Sequence, residues 1–264
     1  MLESLFLNAR WRSRRESLDQ CADRAWPFFR ELAGLHELFG QWSKLGKTKH
    51  KALANKLSPE SAEIRDLLAK GRNHYDVDHR VIEDLGYSLY LWNCMDRPDA
   101  ISLRISCGSY PPPHMPFPNE CFIKLSPVQG ASKSELARID KLLAMAEVMV
   151  RHWDPDYICV STHAVDESAL PDRSEFTGVR PGWLTYISDK WGKVPALPEP
   201  YRLVPMGGAG QMVLIDGIEG ATATNPECIE LIRQLWNHLY AAGLVLKHCG
   251  QRWIALPPIG TPVH

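Results

Sequence analysis

An α+β fold is predicted for this 264-residue chain, with a helical N-terminal part packed on a mostly antiparallel sheet and further helices flanking it. Three observations predict it. Apolar residues recur at helix spacing through the first part of the chain. Short aliphatic and aromatic runs of strand character begin near residue 85. Two helices with clear start signals then interrupt those runs.

In the opening stretch, Leu18, Cys21, Ala22, Ala25, Phe28, Phe29 and Leu32 step by three and four residues, which is the helix period. Arg12 with Glu16, and Arg15 with Asp19, stand four apart, so on a helix each pair meets across one turn and the arginines lie on its solvent side. Pro27 is expected to kink or restart this helix, and Leu35, Leu38, Phe39 and Trp42 continue its apolar stripe. A second helix follows in "LSPESAEIRDLLAKG", capped by Ser58, with Pro59 in its first turn and Gly71 as its stop.

"YSLYLWNC", "AISLRISC" and "CFIKLS" read as strands, with a proline-rich connection docked between the last two. "SKSELARIDKLLAMAEVMVRHW" reads as a helix with a capping box at Ser132 and Glu135 and a buried stripe of Leu136, Ile139, Leu143, Ala146, Val150 and Trp153. "YICVSTH", "GWLTYIS", "YRLVP" and "GQMVLID" are further strands. Another helix starts at Asn225-Pro226 and stops at Gly243, and "LVLKH" and "RWIAL" are placed to close the sheet. The chain is read as a single domain over residues 1–264, a helical part (1–73) and an α+β body (74–264). Residues 85–162 and 183–256 of the body repeat one order: three strands, a helix, a strand.

Composition bounds the function. Hydrophobic content of 45% and charged content of 23% are those of an ordinary globular protein, and a net charge of −1 gives no global field toward nucleic acid or an anionic membrane. The charge is uneven, about +5 over residues 1–73 and −6 beyond. Seven cysteines form no CxxC pair, which fits buried thiols in a reducing compartment; with no signal-like or membrane-spanning run, a cytoplasmic protein is expected.

Catalytic motifs are sparse. "GKT" at Gly46–Thr48 lacks the upstream glycine of a phosphate loop, and "GGAG" at 207–210 lies between two strands, where a hairpin turn is expected. Neither GxSxG nor HExxH occurs, and no Glu-x-Lys or Asp-x-Lys follows the Pro-Asp pairs at 155–156 and 171–172. One cluster offers metal-ligand chemistry. His74, Asp76, Asp78 and His79 bring imidazoles and carboxylates within six residues, the basis of an alternative reading as a metal-dependent enzyme; an exposed loop has the same composition. A third reading takes the arginines at 10–15, interleaved with aromatics, as a nucleic-acid grip.

The segment Asp154–Glu175 carries six acidic residues against Arg173, a net of −5 over one predicted strand and the loop after it. Such a surface suits a basic partner, and Asp166, Glu167, Asp172 and Glu175 are the candidate interface.

Trp11, Arg14, Glu16, Ser17, Cys21-Ala22, Phe28-Phe29, Leu32-Ala33, Phe39 and Trp42 resemble the N-terminal signature of the immunity protein 52 family. "GWLTYIS" at Gly182–Ser188, the turn at Gly207-Gly208 and the helix start Asn225-Pro226-Glu227 resemble its C-terminal half. The resemblance implies an antitoxin role: a non-enzymatic, cofactor-free, stoichiometric inhibitor of a secreted toxin with a restriction-endonuclease-like nuclease domain, often delivered by type VI secretion. The implied partner is that protein, neither nucleic acid nor membrane.

Overall fold

The run Leu5–Trp11 is a strand (β1), where the sequence reading carried the helix of the opening stretch across the arginines. Leu7, Ala9 and Trp11 point to one face and Phe6, Asn8 and Arg10 to the other, and all but Arg10 are buried. A strand buried on both sides lacks the polar alternation that would announce it. The computed structural model describes residues 4–44, 49–54, 56–57, 61–93, 99–111, 117–125, 135–172, 175–217, 225–249 and 252–255.

Around β1 the chain builds a nine-stranded sheet. On one side lie β2 (Ser43–Lys44), β3 (Tyr87–Trp92), β4 (Ile101–Cys107) and β5 (Asn119–Leu125). On the other lie β6 (Tyr157–Thr162), β8 (Leu184–Ser188), β9 (Tyr201–Met206) and β10 (Gly210–Ile215). The order is β2-β3-β4-β5-β1-β6-β8-β10-β9, and every pair is antiparallel. The first strand in sequence therefore joins two groups of strands that follow it in the chain. Pro205, which has no N–H to donate, sits in the edge strand β9, where its lack is tolerated.

"LVLKH" and "RWIAL" do not close this sheet. They form β11 (Val245–Cys249) and β12 (Arg252–Ala255), which pair with each other and with β7 (Phe176–Gly178) as a separate three-stranded sheet. The two segments of like order are paired differently, as a β3-β4-β5 meander in the first and as β8-β10-β9 in the second.

One face of the large sheet is covered by α1 (Leu18–Leu35), α3 (Ser61–Lys70) and α4 (Ile139–Trp153); α2 (Lys49–Ala54) lies beside β2. The predicted stripe of α1 is the buried one: Cys21, Ala22, Ala25, Phe28, Phe29 and Leu32. Its start differs. Ser17 and Gln20 form a capping box, so Arg12 and Arg15 precede the helix and cannot pair along it. Arg12 reaches Asp156 (3.0 Å), Arg15 lies over the Tyr110 ring (5.0 Å), and Asp19 binds Arg65 (2.6 Å). The helix also runs through Pro27 without a break. The proline removes the bond to the Asp23 carbonyl, but buried Phe28 and Phe29 hold the next turn against the core.

The α4 stripe is rotated by about one residue from the predicted one. Leu142, Met145, Ala146, Met149 and Trp153 are buried, while Ile139, Leu143 and Val150 lie at its margin. Trp153 stacks on Trp11 (centroids 5.6 Å apart) and meets Phe28 edge-on (5.7 Å), which locks α4, α1 and β1 together. The caps expected at Ser58 and Ser132, residues 46–48 and residues 112–116 of the proline-rich connection lie outside the described residues.

Two glycines are required by close approach. A Cβ at Gly71 would fall 1.7 Å from the Ser88 carbonyl oxygen, and one at Gly182 would fall 1.9 Å from that of Val160. At the far end, α6 (Pro226–Ala241) starts as expected, with the Asn225 side chain accepting from the N–H groups of Glu227 and Cys228. The "GGAG" stretch is the turn of the β9–β10 hairpin, with positive φ at Gly207 and Gly208.

Cys21, Cys107, Cys121, Cys159 and Cys228 are buried thiols. Burial pushes the Cys228 thiol up to about 11 and Cys121 well above its ordinary value, so both stay protonated at neutral pH. Alkylation of the native protein at pH 8, followed by peptide mass spectrometry, is therefore expected to leave these five thiols unmodified. Urea should open them all to the reagent.

Candidate functional site

The second face of the β3-β4-β5-β1 half carries charged and aromatic side chains. Alternation puts Tyr90 of β3, Ser102 and Arg104 of β4, Glu120, Phe122 and Lys124 of β5, and Phe6, Asn8 and Arg10 of β1 on this side. A wall rises where β6 passes into α5 (His163–Ala169), whose N-terminus is capped by the Thr162 hydroxyl accepting from the Val165 N–H (3.2 Å). Floor and wall enclose a cavity of about 770 Å³. Its volume lies within the range of roughly 300–1,000 Å³ typical of ligand clefts.

The floor is organised around Glu120, which is 7% exposed. In register opposite Arg10, it lies 3.6 Å from that guanidinium and 2.5 Å from Nε of Arg104. Arg104 is further held over the rings of Phe122 (5.4 Å) and Tyr90 (5.8 Å). Burial works against its charge, but the Glu120 carboxylate and the Tyr90 hydroxyl together outweigh it, and the Arg104 pKa is raised. Lys124 makes no ion pair among the described residues. With Arg10, Arg104 and Lys124 against Glu120, the floor carries a net charge of +2.

The wall has the opposite sign. Asp166 and Arg180, 6% and 5% exposed, form an ion pair (Nε to Oδ1 3.1 Å), and the Arg180 guanidinium also donates to the Pro171 carbonyl (2.9 Å). Glu167 and Asp172 are exposed at the mouth, so the wall sums to −2. His163 rests on the Phe6 ring (5.1 Å) where wall and floor meet.

The immunity protein 52 family model matches residues 3–248 of this chain, nearly its whole length. The chain belongs to that family. No curated protein matches it. Among solved structures, a chain described as Pseudomonas aeruginosa T6SS protein PA0821 is similar at a TM-score of 0.46 and 12% identity, covering 89% of this chain and 77% of that one. At that level the likeness carries no information on what either chain binds.

The acidic run read from the sequence of this immunity protein 52 family member is divided in three dimensions. Strand β6 carries its two ends apart. Asp154 and Asp156, before the strand, are held by Lys190 and Arg14 and by Arg12, while Asp166, Glu167 and Asp172, after it, line the cavity. Glu175 is exposed beyond them, its N–H bound to the Asp172 carbonyl (3.2 Å). Asp166 is inside the wall rather than on its surface.

His74, Asp76, Asp78 and His79 lie on an exposed turn. His74 bridges to Val81, the Tyr75 N–H donates to the Arg80 carbonyl (2.9 Å), and Asp78 accepts from the Arg80 backbone and guanidinium. Among the described residues no group of three or more His, Cys, Asp or Glu side chains is placed to hold a metal ion. The arginines at 10–15 form no stripe. Arg10 faces Glu120, Arg12 faces Asp156, and Arg14 faces Glu16 at 3.0 Å. No helix among the described residues is long and apolar enough to cross a membrane.

Asn8, Tyr90, Arg104, Glu120 and Lys124 were not singled out in the sequence. A signal was present, since "SLR" in β4 alternates polar with apolar residues and "ECFIK" in β5 puts Glu120 and Lys124 on one face, with Phe122 between them, and Cys121 and Ile123 on the other. That pattern marks a sheet face left open to solvent.

Proposed function

We propose that this chain is an antitoxin that binds a cognate secreted nuclease toxin stoichiometrically and neutralises it in the cytoplasm of the producing cell. The observation that carries the reading is membership of an immunity protein family over residues 3–248. A nuclease must present cationic surface to hold a phosphate backbone. The acidic mouth of the cavity, Glu167 and Asp172 with Glu175 beyond them, offers such a surface complementary charge. Asp166 contributes from behind by fixing α5 to Arg180. Type VI secretion is the delivery route this family membership favours.

The test is capture of the tagged protein from its native host, with mass spectrometry of whatever is retained in stoichiometric amount. The expected result is one nuclease-domain polypeptide whose activity is lost in the complex. An empty column, from cells shown to express a candidate toxin, would overturn the reading. With the partner in hand, Glu167→Lys combined with Asp172→Lys should weaken binding by about tenfold or more, chiefly through faster dissociation. Calorimetry showing unchanged affinity would remove the acidic mouth from the interface.

A further inference from the structure

We propose that the cavity is a bipolar receptor for a protruding segment of the partner polypeptide: a carboxylate on that segment meets Lys124 and Arg104 on the floor while a basic side chain beside it meets Glu167 and Asp172 at the mouth. The proposal rests on the antitoxin reading and goes beyond it, because an acidic surface alone would dock on a basic one without anything entering the cavity.

Four observations carry it. The floor has an excess of positive charge: Glu120 is shared by two arginines, and Lys124 adds a cation with no ion pair among the described residues. The wall has an excess of negative charge on the facing side of the same space. A nucleic acid entering here would bring its phosphates past Glu167 and Asp172, whereas a segment carrying both signs satisfies floor and wall together.

The third observation is unmet hydrogen bonding. Asn8 is 8% exposed and lines the cavity, yet its Oδ1 has no hydrogen-bond partner among the described residues, and the same holds for Nε of Arg10 beside it. Buried polar groups are ordinarily paired, and both atoms are closed to solvent, so an entering chain reaches them only as the floor side chains shift around it. The fourth is the rim. Tyr90 is 50% exposed over Arg104, and the Tyr–Arg combination is enriched at protein interfaces.

Two variants test the floor without disturbing its ion pairs. Lys124→Glu reverses the cation that has no ion pair among the described residues, and Ser102→Trp fills the cavity from an exposed strand position. Both are measured by biolayer interferometry against the polypeptide captured from the host, with melting curves recorded in parallel. Each is expected to weaken binding by about tenfold or more at unchanged melting temperature. Lys124→Met should lose less than Lys124→Glu.

Binding within about twofold of the parent for both floor variants, alongside loss for the Glu167 and Asp172 variant, would overturn the inserted segment and leave the antitoxin reading standing. Retention of DNA or RNA that Lys124→Glu abolishes would overturn it in favour of a nucleic-acid site. An empty capture column overturns both readings together.

Discussion

Trp153→Ala is expected to destabilise the protein by about 3–5 kcal/mol, read as a fall in the urea midpoint at unchanged slope. Trp153 is fully buried at the C-terminal end of α4, stacked on Trp11 and edge-on to Phe28. Truncation removes the ring stack between α4 and β1 and opens a cavity between three elements that rigid neighbours cannot fill. The conservative change Trp153→Phe should cost less, because an aromatic ring still meets Trp11. An exposed ring serves as the control. Tyr75→Ala, on the turn that carries the His/Asp cluster, should fall within about 0.5 kcal/mol of the parent. A loss for Trp153→Ala of the same size as the control would contradict the placement of β1 against α4 at the centre of the sheet.

That placement separates what was legible in the sequence from what was not. The buried face of α1 could be read because Cys21, Ala25, Phe28 and Leu32 recur at 3.6-residue spacing against an otherwise polar helix. Helix α6 was legible from Asn225 and Pro226, whose chemistry is local. Strand β1 was not, because its charged residue, Arg10, answers Glu120 on β5, which follows more than a hundred positions later. The site failed for the same reason. Charge clustering along the chain picked out Glu167 and Asp172, which line the candidate cavity, but it grouped them with Asp154 and Asp156, which β6 carries to the opposite end. Glu120 gave no signal alone, since its meaning depends on Arg10 and Arg104 from two neighbouring strands. Local periodicity records which face is buried; it does not record which charges meet.

Asp166→Ala is expected to cost about 3–5 kcal/mol of stability, although Asp166 stands one residue from Glu167, where the same change should cost less than about 0.5 kcal/mol. The difference lies in the surroundings. Arg180 is 5% exposed, and removing its carboxylate leaves a buried guanidinium with a neutral carbonyl, that of Pro171, in place of a counter-charge. Replacing both partners, Asp166→Leu with Arg180→Met, removes the two desolvated charges together and should recover most of the loss. The coupling between the two sites is then read from a double-mutant cycle in urea. A near-zero coupling energy would mean that the pair does not hold α5 against the segment around Arg180. The cycle also decides how any Asp166 variant is read in a binding assay. If coupling is large, weaker partner binding by Asp166→Ala reports displacement of the wall that presents Glu167, and Asp166→Asn, which keeps the shape and one hydrogen bond to Arg180, should bind more like the parent. If Asp166→Asn binds as poorly as Asp166→Ala while its melting curve stays close to the parent's, the carboxylate acts on the partner through its charge, from behind the acidic mouth.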